Sequence, residues 1–169
     1  MDNDFSWLLD DRGGGVFVIV LRGSLNEDVN PKPILETLGS LQKELKELRI
    51  DTRGVNHINS CGVREWILLM EKMQFIATCR FNSLSHVFVE QANTVANMIG
   101  KPPVPVDAFE APYYCAKCDK QVQRLLTKAD LKKVGTLYSA PAFKCDVCQS
   151  GLEADFFEDE YFTFLKRLP

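Results

Sequence analysis

Six cysteines occur in this 169-residue chain, and four of them stand in two C-x-x-C pairs, Cys115/Cys118 in YYCAKC and Cys145/Cys148 in FKCDVC. Twenty-six residues separate the pairs. A C-x-x-C turn places two thiolates side by side, and two such turns complete a tetrahedral all-thiolate site with metal–sulfur distances of about 2.3 Å. In a reducing compartment disulfides seldom persist, so repeated C-x-x-C pairs point to metal. Zinc is the preferred ion, although iron occupies similar thiolate sites. Four protein ligands leave no open coordination position, which assigns the ion a structural role.

A second stretch, HINSCGVREW at residues 57 to 66, puts Asn59, Ser60, Cys61 and Gly62 directly before an apolar-periodic run. Ser or Asn at a helix start accepts hydrogen bonds from unpaired amides, a contribution of about 1 kcal/mol. Ser60 completes no capping box, because Val63 lies three positions on; Gly62 and Glu65 have the spacing, but glycine has no side-chain oxygen. A nucleophilic serine needs a base and usually an orienting acid. His57 and His86 stand in no recognisable hydrolase context, and NSCG lacks the G-x-S-x-G elbow. Cys61 and Cys79 have redox-capable thiols, but the expectation for each is a small buried hydrophobe. The three glycines of DDRGGG precede neither Lys-Ser/Thr nor a helix start, so they read as a turn.

The elements that must position these residues follow from periodicity. FSWLL and VFVIVLRG read as a hairpin across DDRGGG. From Pro31, Ile34, Leu38, Leu41, Leu45 and Leu48 recur at helical spacing, with Lys and Glu between them. LRID is then a short buried strand and TRGVNH the loop after it. A second helix starts at Gly62 with a stripe of Val63, Trp66, Ile67, Met70 and Met73. TCRFNSL is a strand, and a third helix is expected from Val87 to Ile99, stopped by GKPPVP. Strands alternating with helices after an opening hairpin indicate an α/β fold, a mixed sheet packed with helices. The proline-rich segment places a border near residue 108, giving domains at 1–108 and 109–169.

Strand, loop, Asn-Ser-Cys-Gly and apolar helix, behind a strand pair and an amphipathic helix, resemble the STAS domain over roughly residues 5 to 108. HVFVEQANTVANMIG likewise resembles that family's last long helix. The family includes anti-sigma factor antagonists and the cytoplasmic domains of sulfate transporters. Its bacterial regulatory members carry Asp-Ser-Ser/Thr-Gly at this junction, where a partner kinase phosphorylates the first serine and the surrounding face binds the partner. The resemblance therefore implies that Ser60 is the switch position and that Asn59, Cys61 and Gly62 belong to the partner face. It also implies a partner of anti-sigma, kinase or sensor type. Asn59 replaces the family's acid and Cys61 its hydroxyl residue, so the resemblance leaves phosphorylation itself open. A phosphate there adds about −1.5 to −2 charges at the favourable end of a helix dipole, changing binding without refolding.

The C-terminal cysteine pairs resemble a zinc ribbon. Some sixty residues rich in charge do not easily bury enough area alone, and a metal is the common remedy. QVQRLLT and TLYSAPAFK supply its short strands. Lys117, Lys120, Arg124, Lys128, Lys132, Lys133 and Lys144 outnumber the acids of that stretch, but Glu153, Asp155, Glu158, Asp159 and Glu160 follow and largely cancel them. Tyr113, Tyr114 and Phe143 suit base stacking or, the simpler role, a mini-core. The expected function is thus a non-enzymatic regulatory interaction module with a structural zinc ribbon; the alternative is an adaptor contacting DNA or RNA through that ribbon. A net charge of −3 gives no global drive toward nucleic acid or anionic membrane. The acidic start lacks a basic n-region and an apolar h-region, and no apolar run approaches 18 residues, so a cytoplasmic location is expected.

Overall fold

The structure, a computed structural model, describes residues 4–169. Residues 1 to 3 of the acidic start, part of the basis for expecting no leader, lie outside the described residues. A hairpin of β1 (Ser6–Asp11) and β2 (Val16–Leu25) opens the chain, and Gly13, Gly14 and Gly15 all take positive φ at its turn. Gly15 is required twice over. Its φ is +86°, and a Cβ there would lie 2.5 Å from the Glu44 carbonyl oxygen. Its own carbonyl accepts from the amides of Lys46 and Glu47, tying the hairpin turn to the start of the next strand.

Helix α1 (Lys32–Ser40) ends earlier than the leucine stripe predicts. Leu41 and Leu45 still pack on the core, but from turns, and Leu48 already belongs to β3 (Glu47–Ile58). The chain must reverse before Glu47 to lie parallel to β2, and helical spacing alone does not register that demand. β3 also runs through the segment expected to be a loop. Val55 and Ile58 are buried, and β2 stays paired as far as Leu25↔Ile58, with register shifts absorbing the irregularity.

Helix α2 (Ser60–Lys72) leads through a 3₁₀ turn to β4 (Cys79–Ser83), which pairs parallel to β3. Helix α3 (His86–Thr94) stops well short of Ile99. Val95 is extended and Asn97 takes a φ of +66°, so Met98 and Ile99 enter the core from a turn instead. That turn presents the Met98 carbonyl to the Trp66 indole N–H at 2.8 Å.

The strand order β1-β2-β3-β4 steps in one direction. Right-handed crossovers between parallel neighbours then set the helices on one face. The aromatic core agrees, since Trp66 of α2 meets Phe88 of α3 edge-on at 5.0 Å, with Phe81 of β4 beside both.

Beyond α3 the chain lies parallel along β4, with Phe81 opposite Val106 and Leu84 opposite Phe109. It continues without a break as β5 (Phe109–Cys115), so the expected border near 108 falls inside one extended segment. β5 is the middle strand of a second sheet, between β6 (Lys120–Leu126) and β9 (Glu153–Ala154). A hairpin of β7 (Lys132–Val134) and β8 (Leu137–Ser139) follows β6.

The C-terminal segment, with α4 (Glu158–Tyr161) and a 3₁₀ turn, folds back over α3. Asn93 clamps it, donating to the Tyr161 carbonyl at 2.9 Å and accepting from the Phe164 amide at 2.7 Å. Phe162 and Phe164 both meet Phe109 edge-on. Burial of about 25 cal/mol per Å² across these rings fastens tail, β5 and α3 into one core. No helix among the described residues is long and apolar enough to cross a membrane.

Candidate functional site

Two constellations hold the residues able to do chemistry. The first is the loop-to-helix junction at the carboxyl ends of β2 and β3. Asn59 is the N-cap of α2, with extended backbone, and its side-chain oxygen accepts from the Gly62 amide at 2.9 Å. Its side-chain amide donates to a Glu27 carboxylate oxygen at 2.7 Å, and its backbone N–H bonds the Leu25 carbonyl. The Glu27 carboxyl is held below its usual range, by its own backbone amide and then by Asn59. Sequence reading missed Glu27, for no local pattern links it to a residue 32 positions away.

Because Asn59 performs the capping, Ser60 is left as the exposed first residue of the helix. Cys61 is exposed as well, correcting the expectation of a buried hydrophobe. Cys79 is intermediate in exposure, and burial pushes its thiol up to about 11. Gly62 is buried where α2 meets the end of β2, and a Cβ there would sit 2.0 Å from the Leu25 carbonyl oxygen. No other residue type fits this approach without displacing backbone.

His57 is exposed near the end of β3. His86 is engaged elsewhere. Tyr161 donates its hydroxyl to the Glu110 carbonyl at 2.6 Å, so His86 Nδ1–H donates to the Tyr161 oxygen at 3.1 Å. The other ring nitrogen lies 3.3 Å from Glu90. Burial raises the Tyr161 phenol far above its ordinary range.

Glu110, near the start of β5, is also unanticipated by the sequence. Partial burial raises its carboxyl, opposed by Arg53 and by the His86 backbone amide. Arg53 in turn holds Asp51 at 2.6 Å.

The second constellation is the cysteine cluster. Cys115 ends β5, and Cys118 follows across a turn closed by Asp119 at a φ of +51°. Cys145 and Cys148 repeat the device, with Gln149 at +60° and its amide bonded to the Cys145 carbonyl. The sulfurs of Cys115 and Cys148 lie 3.5 Å apart, those of Cys118 and Cys145 3.8 Å, and all four fall within 4.8 Å. A tetrahedron of sulfurs about 2.3 Å from a central ion has edges of about 3.8 Å, so the cluster fits a metal ion.

The four thiols are held unequally. The Ser150 hydroxyl and amide pull Cys148 down to about 6, and the amides of Cys148 and Val147 lower Cys145. Cys118 is pushed up to about 12, chiefly by its hydrogen bond with Cys148. Thiolates crowded this closely repel one another until a cation stands among them.

Around the cluster, Tyr113 is buried, meets Phe143 edge-on at 5.1 Å and donates to the Pro141 carbonyl. Arg124 pairs with Asp146 at 2.9 Å and lies over the Phe143 ring. These aromatics form the mini-core, and Arg124, one cation of the basic stretch, is already engaged.

No family model and no curated protein matches the chain. Solved structures similar to it include two anti-sigma factor antagonists. One, from Mycobacterium paratuberculosis, is 19% identical, with 50% of this chain and 71% of that one covered at a TM-score of 0.38. Another is the anti-sigma factor antagonist SpoIIAA in its unphosphorylated form, 16% identical, with 47% and 69% covered at a TM-score of 0.35.

Proposed function

We propose that this chain is a non-enzymatic regulatory interaction module of the anti-sigma factor antagonist type. In this reading residues 1–108 carry the binding face and residues 109–169 form a ribbon stabilised by structural zinc. Ser60 is the position at which binding is switched, and Asn59, Cys61 and Gly62 shape the face around it. The partner is a protein of anti-sigma, kinase or sensor type. The observation that carries the reading is the division of labour at the α2 start. Asn59 takes the cap, so the Ser60 hydroxyl is exposed and open to a modifying enzyme without loss of the helix. A phosphate there adds dianionic charge at the positive end of the α2 dipole, which the helix tolerates while a docked partner does not. Zinc is the preferred ion, and four thiolates that close its coordination sphere give it a structural role.

The test is affinity capture with wild-type, Ser60→Ala and Ser60→Asp baits, read by quantitative mass spectrometry, with phosphosite mapping of the native chain. The expected result is one protein partner retained by Ser60→Ala and weakened about tenfold to a hundredfold by Ser60→Asp. Equal capture by all three baits together with an unmodified Ser60 would overturn the switch.

A further inference from the structure

Large apolar side chains left in water are few here, and three of them fall on one patch away from the α2 junction. Val134 is 74% exposed, Leu137 50% and Phe157 77%. Val134 and Leu137 are directly paired at the tip of the β7–β8 hairpin, where Gly135 takes a φ of +63°. Directly opposed residues of an antiparallel pair share a face. That face lines a shallow cleft of about 490 Å³ together with Phe157, Glu158 and Asp159. The hairpin base is fixed to α4, since the Ala140 amide donates to Glu158 at 2.6 Å, while its tip is exposed.

Charged groups of both signs flank this patch. Lys132, two residues before Val134, lies on the Val134 face of β7 and is exposed. Asp159 is exposed on the α4 side of the same cleft. An apolar centre with a cation on one flank and an anion on the other is self-complementary. A two-fold axis through it sets each Lys132 against the Asp159 of the other copy and closes Val134, Leu137 and Phe157 on their equivalents. Isologous contacts have this property, residue i meeting j and j meeting i. The unpaired edge of β7 carries lysines, which disfavours strand-to-strand addition and favours contact through side chains.

We propose that the chain self-associates as a two-fold dimer through the β7–β8 hairpin tip and Phe157. The test is sedimentation equilibrium on the full-length, metal-loaded protein up to roughly 100 µM, at low and high salt. Expected is a mass twice that of the chain, with association weakened by salt and lost on Phe157→Glu. Lys132→Glu and Asp159→Lys alone each weaken association about tenfold or more, because each sets like charges opposite one another twice. A one-to-one mixture of these two variants re-forms the dimer, since every facing pair is then of opposite sign. Bound-metal content, measured on each variant, establishes that it is folded. A chain that stays monomeric throughout would overturn the proposal and give the patch to a different partner. A dimer indifferent to Phe157→Glu and Asp159→Lys would overturn the surface.

Discussion

Asn59 joins the cap of α2 to Glu27, accepting from Gly62 with its oxygen and donating to the Glu27 carboxylate with its nitrogen. Only an amide meets both demands, since a carboxylate at this position could accept but not donate. A carboxylate does stand at this junction, one hydrogen bond from Asn59, and it comes from the loop after β2. Asn59→Asp keeps the cap acceptor and sets two carboxylates against each other. The expected outcome is a lower urea midpoint at neutral pH, relieved by salt, by acid and by a second change, Glu27→Gln. Asn59→Ala removes the cap itself, at about 1 kcal/mol. Double-mutant denaturation curves separate the two effects.

Gly62→Ala is the harsher change. The new methyl would fall 2.0 Å from the Leu25 carbonyl oxygen, which is backbone and has no rotamer by which to yield. Either α2 backs away from β2 or the end of β2 bends. A loss of about 3 kcal/mol is expected in denaturant titration, with metal content unchanged.

Metal removal reaches beyond the knuckles. On the proposed metal loading, chelation or Cys118→Ser abolishes bound metal and loosens β6 and β9, because the free energy of binding such a site is folding free energy. The tail is clamped to Asn93 of α3, so hydrogen exchange should also rise at α4 and along that side of α3, while β2 and β3 stay protected. Exchange mass spectrometry with and without metal checks both halves of this expectation.

Glu110 supplies a pH dependence of definite sign. Its carboxyl is raised from an ordinary value of 4.5, first by burial, so the folded state holds this proton more tightly than the unfolded chain does. Ionisation therefore costs stability as pH rises through the folded value, and that cost is absent below 4.5. Glu110→Gln removes the charge and leaves an acceptor for the His86 amide. The variant should gain on the wild type above the folded value and lose that advantage in acid, as thermal melts across pH 4 to 8 will read.

What was legible in the sequence was what local pattern encodes. The glycine turn, the start of α2 and the two cysteine knuckles each lie within a few residues of their own signal. Helix ends were another matter. Leu41, Leu45 and Ile99 keep helical spacing yet reach the core from turns, because β3 and the Trp66 indole dictate where the chain goes. The missed residues share one cause. Glu27, Glu110 and Tyr161 act on groups 32, 24 and 75 residues away, through Asn59, the His86 amide and His86. Cys61 was misjudged because an apolar run says nothing about which side of the first turn faces water.

The uninterrupted passage from the edge of β4 into β5 has a consequence for how the chain can be cut. A fragment ending at residue 108 would keep β4 and Val106 but lose Phe109, Phe162 and Phe164, whose rings cover that flank of α3. The remaining edge would present unpaired backbone beside newly bared apolar surface, the combination that recruits strands from other molecules. Light scattering should therefore find such a fragment more prone to aggregate than the whole chain.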